Sequence, residues 1–304
     1  MRISTNTIYQ SGISKISALQ SEQTKLQQQI STGKRITSPS DDPVASARAL
    51  ELTHAQSMNA KFADTRQTAQ IKLNSLESNL TGVTNLLVST QSTLVSAGNG
   101  SYSNLERGYI ATELKGSLEA LIGLANAQDA SGNYLYAGFQ ASTKPFVATA
   151  TGATYNGDSN QQLLQVDSQR QIEVSVSGDN VFKADSNDVF NTLSDLVTLL
   201  NTPITDAASQ AAFSSGLASA MDKLQNSVDS VLNVRASIGA KLNEIDAMDI
   251  SGADRDLQYS KTLSDLQDTD YASALSDLAK QQTIMEAAQK SFVTTSGLSL
   301  FQFI

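Results

Sequence analysis

The 304-residue chain has no cysteine, no tryptophan and a single histidine. Zero cysteine removes disulfides, thiolate metal ligands and thiol nucleophiles together. One imidazole, His54, leaves zinc short of the several nitrogen or sulfur ligands it takes. Any Ser-His-Asp triad would also have to use His54, yet no GxSxG turn accompanies it in ALELTHAQSMNAKF. A solvated helix face is its expected place. There is no GxxxxGK[ST] loop, and GNG at Gly98–Gly100 reads as a helix-ending turn. DSND at Asp185–Asp188 lacks the glycine and distal glutamate of a calcium loop, so a helix cap is the better reading. No catalytic residue, cofactor-binding residue or metal ligand is assigned, and the expectation is a protein that is not an enzyme and needs no cofactor.

Basic charge is also scarce. The formal net charge is −9, which gives no basic footprint for nucleic acid. No apolar run approaches the roughly 20 residues of a membrane span, and the start, MRISTNTIYQSGISK, lacks the apolar core of a secretory signal. Aromatic residues are 6% and prolines number four. That composition is too polar for a rich globular core and too patterned for disorder. It leaves room for long helices.

Helical periodicity is what the chain does have. From Leu73 the spacing alternates three and four: Leu73, Leu76, Leu80, Val83, Leu87, Thr90, Leu94, Ala97. A second run reads Leu217, Met221, Leu224, Val228, Val231, Arg235, Ile238, Leu242, Ile245. Such seams commit a helix to a partner helix, in coiled-coil fashion. A shorter stretch from Leu105 to Ala127 (Leu114, Leu118, Leu121, Ala125) packs beside them. Arg235 is the one charge inside a strong seam. Two readings stay open: it fixes register or contacts a partner through an acid on a neighbouring helix, or its stem snorkels outward.

Between the helical halves, residues 133–184 are rich in Gly, Thr, Val and Tyr. They alternate at Leu164/Val166 and at Ile172/Val174/Val176, with turn clusters at YNGDSN and SGDN. A small β-rich insertion is expected, with Tyr134, Tyr136 and Phe139 packing under it. Helix resumes at NDVFNTLSDLVTLLN, capped by Asn187 or Asp188, and pauses at Pro203. The expected fold is mainly α: an elongated antiparallel bundle, or coiled coil, formed by the N- and C-terminal halves around the insertion. Its parts are 1–40 with 270–304, 41–132 with 185–269, and 133–184.

The two ends have thinner seams. Near the start these are Ile16, Leu19, Gln23, Leu26, Ile30 and Gly33; near the finish, Tyr271, Leu275, Leu278, Gln282, Met285, Gln289 and Phe292. Glutamine weakens a coil, and isolated helices this short are marginal in water. Residues 1–40 carry five basic side chains against one acid, and residues 254–304 four basic against seven acidic, so the ends attract one another. The chain finishes on GLSLFQFI, with Leu298, Leu300, Phe301, Phe303 and Ile304 apolar. A core strand, a membrane tail and a surface awaiting a partner are the three readings of that patch, and its length weakens the second. The ends are expected to gain full order on association.

ISTGKRITSPSDDPVASARAL, Ile30 to Leu50, resembles the N-terminal signature of the bacterial flagellin family. Its physical reading is consistent: Gly33 ends one helix, Lys34 and Arg35 lie near its carbonyl end, and Asp41-Asp42-Pro43 begins the next. The start MRISTNTIYQ, GNYLYAGFQ with KPF at Gly132–Phe146, NVRASIGAKLNEI at Asn233–Ile245 and the ending GLSLFQF resemble the junction members more than flagellin proper. The resemblance implies an extracellular structural subunit of the flagellum, exported unfolded by the type III route without a cleaved signal. It implies partners too: further copies in a ring, hook-associated protein 1, flagellin and an export chaperone. Subunit contacts are expected at Ile16, Leu19, Leu26, Ile30, Leu275, Leu278, Met285, Phe292 and the five apolar tail residues, with Lys34, Arg35, Asp41, Asp42 and Arg235 setting register. The alternatives are a filament-forming flagellin and a secreted flagellin-like hydrolase.

Overall fold

A computed structural model describes residues 5–183 and 187–297. The chain divides into two compact units, residues 1–59 with 253–304, and residues 60–252. Among the described residues, seven helices and four strands follow one another as α1 (Thr5–Thr32), α2 (Pro43–Ala97), α3 (Asn104–Ala125), β1 (Phe146–Thr149), β2 (Gly152–Tyr155), β3 (Leu163–Asp167), β4 (Arg170–Glu173), α4 (Gly178–Phe182), α5 (Val189–Asn201), α6 (Ala207–Gln267) and α7 (Tyr271–Gly297). The protein is mainly helical with a small strand region, and both long helices, α2 and α6, contribute to each unit.

In the first unit α1 and α7 pack along one another. α1 stops at Gly33, whose φ of 70° is a left-handed conformation that glycine adopts without strain. α2 starts at Pro43, where the missing N–H costs nothing, and the Asp42 carboxylate accepts from Ala45 N at 3.0 Å. Ile16, Leu19, Gln23, Leu26 and Ile30 are half-buried on α1, as their spacing requires. The buried stripe of α7 differs from the expected one. It runs through Ala274, Leu278, Gln281, Met285, Ala288 and Phe292, while Tyr271, Leu275, Gln282 and Gln289 are exposed. The two stripes share Leu278, Met285 and Phe292, so periodicity alone fits either. Choosing the larger residue at the remaining positions turned the helix the wrong way, because the small Ala274 and Ala288 are the covered side chains.

In the second unit all eight positions of the first seam, Leu73 to Ala97, are buried. Leu217, Leu224, Val228, Val231, Ile238 and Ile245 of the second seam are buried, and Met221 and Leu242 pack against the same core. α3 begins with a reciprocal cap: Ser103 Oγ accepts from Glu106 N, and the Glu106 carboxylate accepts from Ser103 N at 2.7 Å. α5 is capped by Asp188, which accepts from Phe190 N and Asn191 N. It ends before Pro203, as expected, and packs along α3.

The strands form two separate antiparallel hairpins, β1–β2 and β3–β4. SGDN is not a turn but the start of α4. The Ser177 side chain accepts from Asp179 N, and Gly178 lets the chain pass so close to the Phe146 and Tyr155 rings that a Cβ would meet them at 2.7 Å. The strand residues do not make a core of their own. Phe146, Val166, Ile172, Val174 and Phe182 join the cluster formed by the helix seams. Phe146, Phe182 and Phe190 stack mutually at 4.9–5.5 Å between centroids, and Tyr136 meets Phe182 edge-on at 5.2 Å. Tyr136 is fully buried, but Phe139 is exposed rather than packed under the hairpins. Gly138, immediately before Phe139, has a φ of 68°, a left-handed conformation that breaks the extended run there.

Candidate functional site

The charged residues of the flagellin-like signature come together at one joint of the first unit. There the α1–α2 connection meets the α6–α7 connection. Lys34 and Asp268 form an antiparallel bridge. Arg35 N donates to Gln267 O at 2.6 Å, and Thr269 N donates to Gly33 O at 2.9 Å. The Arg35 guanidinium donates to Leu266 O at 3.0 Å, so its charge sits at the carbonyl end of α6, where the helix dipole favours a cation. The expectation placed Arg35 at the end of α1; the structure uses it on a helix more than two hundred residues away in sequence. Arg35 also lies 3.5 Å from the Asp42 carboxylate.

Asp41 organises the rest of the connection. One carboxylate oxygen accepts from Thr37 N, Thr37 Oγ1 and Ser38 N at 3.0–3.1 Å, and the other takes Lys25 Nζ at 2.8 Å. The Lys25 contact and then the Ser38 amide hold its carboxyl well below the usual carboxylate range. Asp270 caps α7 in the same manner: its carboxylate accepts from the Ser273 hydroxyl and from the Ala272 and Ser273 amides, and these lower its pKa. Asp41, Asp42 and Arg35 therefore each have partners within the chain. Exposed pairs of this kind add little to stability, since water and salt screen them. Their effect is on geometry, fixing how two chain connections meet.

Along α1 and α7 the packing is open. Phe292 rests on Gly12, where a Cβ would stand 2.5 Å from the ring, and stacks on Tyr9 with centroids 5.2 Å apart. Beside them runs a groove lined by Ser11, Lys15, Ile16, Ser291 and Phe292. Tyr9, Ile13, Tyr271, Leu275, Ile284 and Val293 are exposed. Leu275 thus points away from the α1–α7 seam, whereas Leu278, Met285 and Phe292 lie in it. Leu298, Leu300, Phe301, Phe303 and Ile304 lie outside the described residues.

Arg235 is used within the second unit. Its guanidinium donates twice to Glu77 Oε1, at 2.6 and 2.9 Å, and to Thr84 Oγ1 at 3.3 Å, tying α6 to α2. His54 is exposed on α2. Sequence reasoning missed two buried arginines, Arg66 and Arg107, at 1% and 2% exposure. Arg107 lies 4.9 Å over the Phe213 ring and donates to Asn104 Oδ1. Both continue the three-four spacing of a buried stripe backward, Arg66 through Ala69 to Leu73 and Arg107 through Ala111 to Leu114, and that spacing is the signal that could have found them. Among the described residues no three His, Asp or Glu side chains stand together as metal ligands, and no helix is long and apolar enough to cross a membrane.

Two antiparallel connections pinned to each other beneath a terminal helix pair are the feature to set beside known proteins. Residues 3–141 match the bacterial flagellin N-terminal helical region, so that part of the chain is flagellin-like. The chain is 35% identical to flagellar hook-associated protein 3 of Escherichia coli and 37% identical to flagellar hook-associated protein 3 of Salmonella typhimurium, in both cases over 99% of either chain. The flagellar junction protein FlgL from Legionella pneumophila shares the fold, with a TM-score of 0.63 over 74% of this chain and all of that one at 19% identity. The chain belongs to the flagellar hook-associated protein 3 family.

Proposed function

We propose that this protein is a structural subunit of the bacterial flagellum that joins the hook to the filament. The observation that carries the proposal is the 35–37% identity, end to end, with two hook-associated proteins 3. Its work is mechanical, and no catalytic step is assigned to it. Copies assemble in a ring, with hook-associated protein 1 on the hook side and flagellin on the other. The chain reaches this place unfolded, with an export chaperone and without a cleaved signal.

The open side of the α1–α7 pair supports such an assembly. Tyr9, Ile13, Leu275, Ile284 and Val293 are exposed apolar side chains on a pair whose seam is only half-buried. Apolar surface of that kind gains about 25 cal/mol per Å² when a neighbour covers it. In the proposed arrangement residues 1–40 and 270–304 form an inner tube, with the apolar tail from Leu298 to Ile304 packing between copies. Residues 41–132 with 185–269 form the next layer as a coiled-coil rod, and 133–184 face outward. Lys34, Arg35, Asp41 and Asp42 act by holding the joint at the angle that neighbouring copies require.

The test is genetic. A deletion strain imaged by negative stain should show intact hooks, no filaments and flagellin monomers in the medium. Removing residues 298–304 should leave a folded helical monomer that does not restore filaments. Normal filaments on the deletion strain would overturn the junction role, and a handful of copies per flagellum rather than thousands separates it from that of a filament flagellin.

A further inference from the structure

The β3–β4 hairpin is bound to α2 and α6 by polar contacts on both of its sides. Its ladder pairs Gln165 with Gln171 and Asp167 with Arg170, which leaves Val166 as the extra residue of a bulge. The carbonyl of Val166 accepts from Arg66 Nη1 on α2 at 3.1 Å. The same guanidinium donates through Nε to Asp249 on α6. Arg66 is thus a fully buried cation touching three segments, with its charge balanced by a carboxylate from one and a further donor taken up by the bulge carbonyl of another. A buried guanidinium that lost either partner would stand desolvated and uncompensated.

Around this centre the ties repeat. Arg170, in the strand after the bulge, grips Glu244 of α6 with two parallel bonds of 2.5 and 2.8 Å. Lys241, one turn away on α6, donates to Glu173 at 2.8 Å. Lys72 of α2 donates to Gln162 at 2.9 Å, and Gln70 of α2 reaches Asp246 of α6 directly at 3.1 Å.

We propose that the β3–β4 hairpin is a clasp that holds α2 and α6 together over residues 66–72 and 241–249, with Arg66 as its positioning residue. The bulge at Val166 is the device that turns a backbone carbonyl onto Arg66. On this account the hairpin and that stretch of α6 open together, and neither holds its place without the other. The hairpin is then a structural member of the helical unit, independent of any assembly role.

Hydrogen exchange on the full-length monomer tests this. Arg66→Met, which takes the donor from the buried Val166 carbonyl, should speed exchange in residues 163–173 and in residues 241–249 alike, on the order of tenfold, while α5 amides from Leu193 to Leu200 keep their wild-type rates. A hairpin that loosens alone, or no change in either segment, overturns the clasp. If Arg66→Met fails to fold, the exposed pair decides. Arg170→Glu should speed both segments together, and Arg170→Glu combined with Glu244→Arg should restore both. Exchange in 241–249 that ignores Arg170→Glu, or a double variant no slower than the single one, refutes the proposal.

Discussion

Replacing glycine by alanine inside a helix ordinarily gains about 1 kcal/mol, because the unfolded chain loses freedom and the helix loses none. At Gly108 and Gly116 of α3 an added Cβ meets nothing within 4 Å, so each substitution should stabilise that helix by about 0.5–1 kcal/mol. Gly12 of α1 should behave in the opposite sense. Its added Cβ would stand 2.5 and 2.6 Å from two carbons of the Phe292 ring. The ring must shift, which disturbs its tilted contact with Tyr9, a kind of pair worth about 0.5–1.5 kcal/mol. Overpacking of this kind costs about 1–3 kcal/mol. With both losses set against a gain of about 1 kcal/mol, the balance is a loss of about 0.5–3.5 kcal/mol for the α1–α7 contact. Exchange of the α7 amides around Phe292, measured on the dilute full-length protein, should therefore be about 2- to 300-fold faster in Gly12→Ala. In a Phe292→Ala background the obstacle is gone, and Gly12→Ala should slow exchange in α1. Slower α7 exchange in the single Gly12→Ala variant would show that the two helices do not meet through this notch, and the reasoning would fail.

Gly138→Ala should destabilise the second unit by about 2 kcal/mol or more: φ is 68° there, and a Cβ would stand 2.6 Å from the Asp158 backbone oxygen. Loss of near-UV circular dichroism from Tyr136 and Tyr155 at a lower urea midpoint would register it. Leu80→Ala, at a fully buried seam position, should cost about 2–5 kcal/mol, read as a lower urea midpoint with an unchanged denaturant slope. Asp41 has a folded-state pKa depressed below its ordinary 3.8. Its contribution is complete above that value and fades as pH falls through the lower range. Exchange protection of the 33–42 connection should thus decline below about pH 4, and Asp41→Asn should remove that decline while lowering protection at neutral pH.

The two seams were legible because a helix repeats every 3.6 residues, and eight successive apolar or near-apolar positions at that spacing leave one face to bury. The helix ends were legible for a related reason. Gly33, Pro43, Asp188 and Pro203 act through their own φ or through an amide two or three residues away. Glutamine and alanine along α7 gave no such contrast, and the stripe there was set by the partner helix. Arg66 falls on the stripe of Ala69, Leu73 and Leu76 by spacing, but the groups that compensate its charge there, Asp249 and the Val166 carbonyl, are remote in sequence. The short strands were recognisable by alternation, but their separation into two hairpins sharing the helical core was not.

The sequence by itself determined that this chain is mainly helical, where most of its helices stop, and that it resembles the flagellin family. Those properties are encoded within one or two turns of chain, or in short ordered motifs. Tertiary structure alone decided that Arg35 serves α6 rather than α1, that Ala274 and Ala288 of α7 are covered while Leu275 is exposed, and that Arg66 finds its partners in a hairpin and a second helix. Each of those outcomes depends on which distant segment arrives as a neighbour, and side-chain chemistry read along one strand of sequence does not specify its partner.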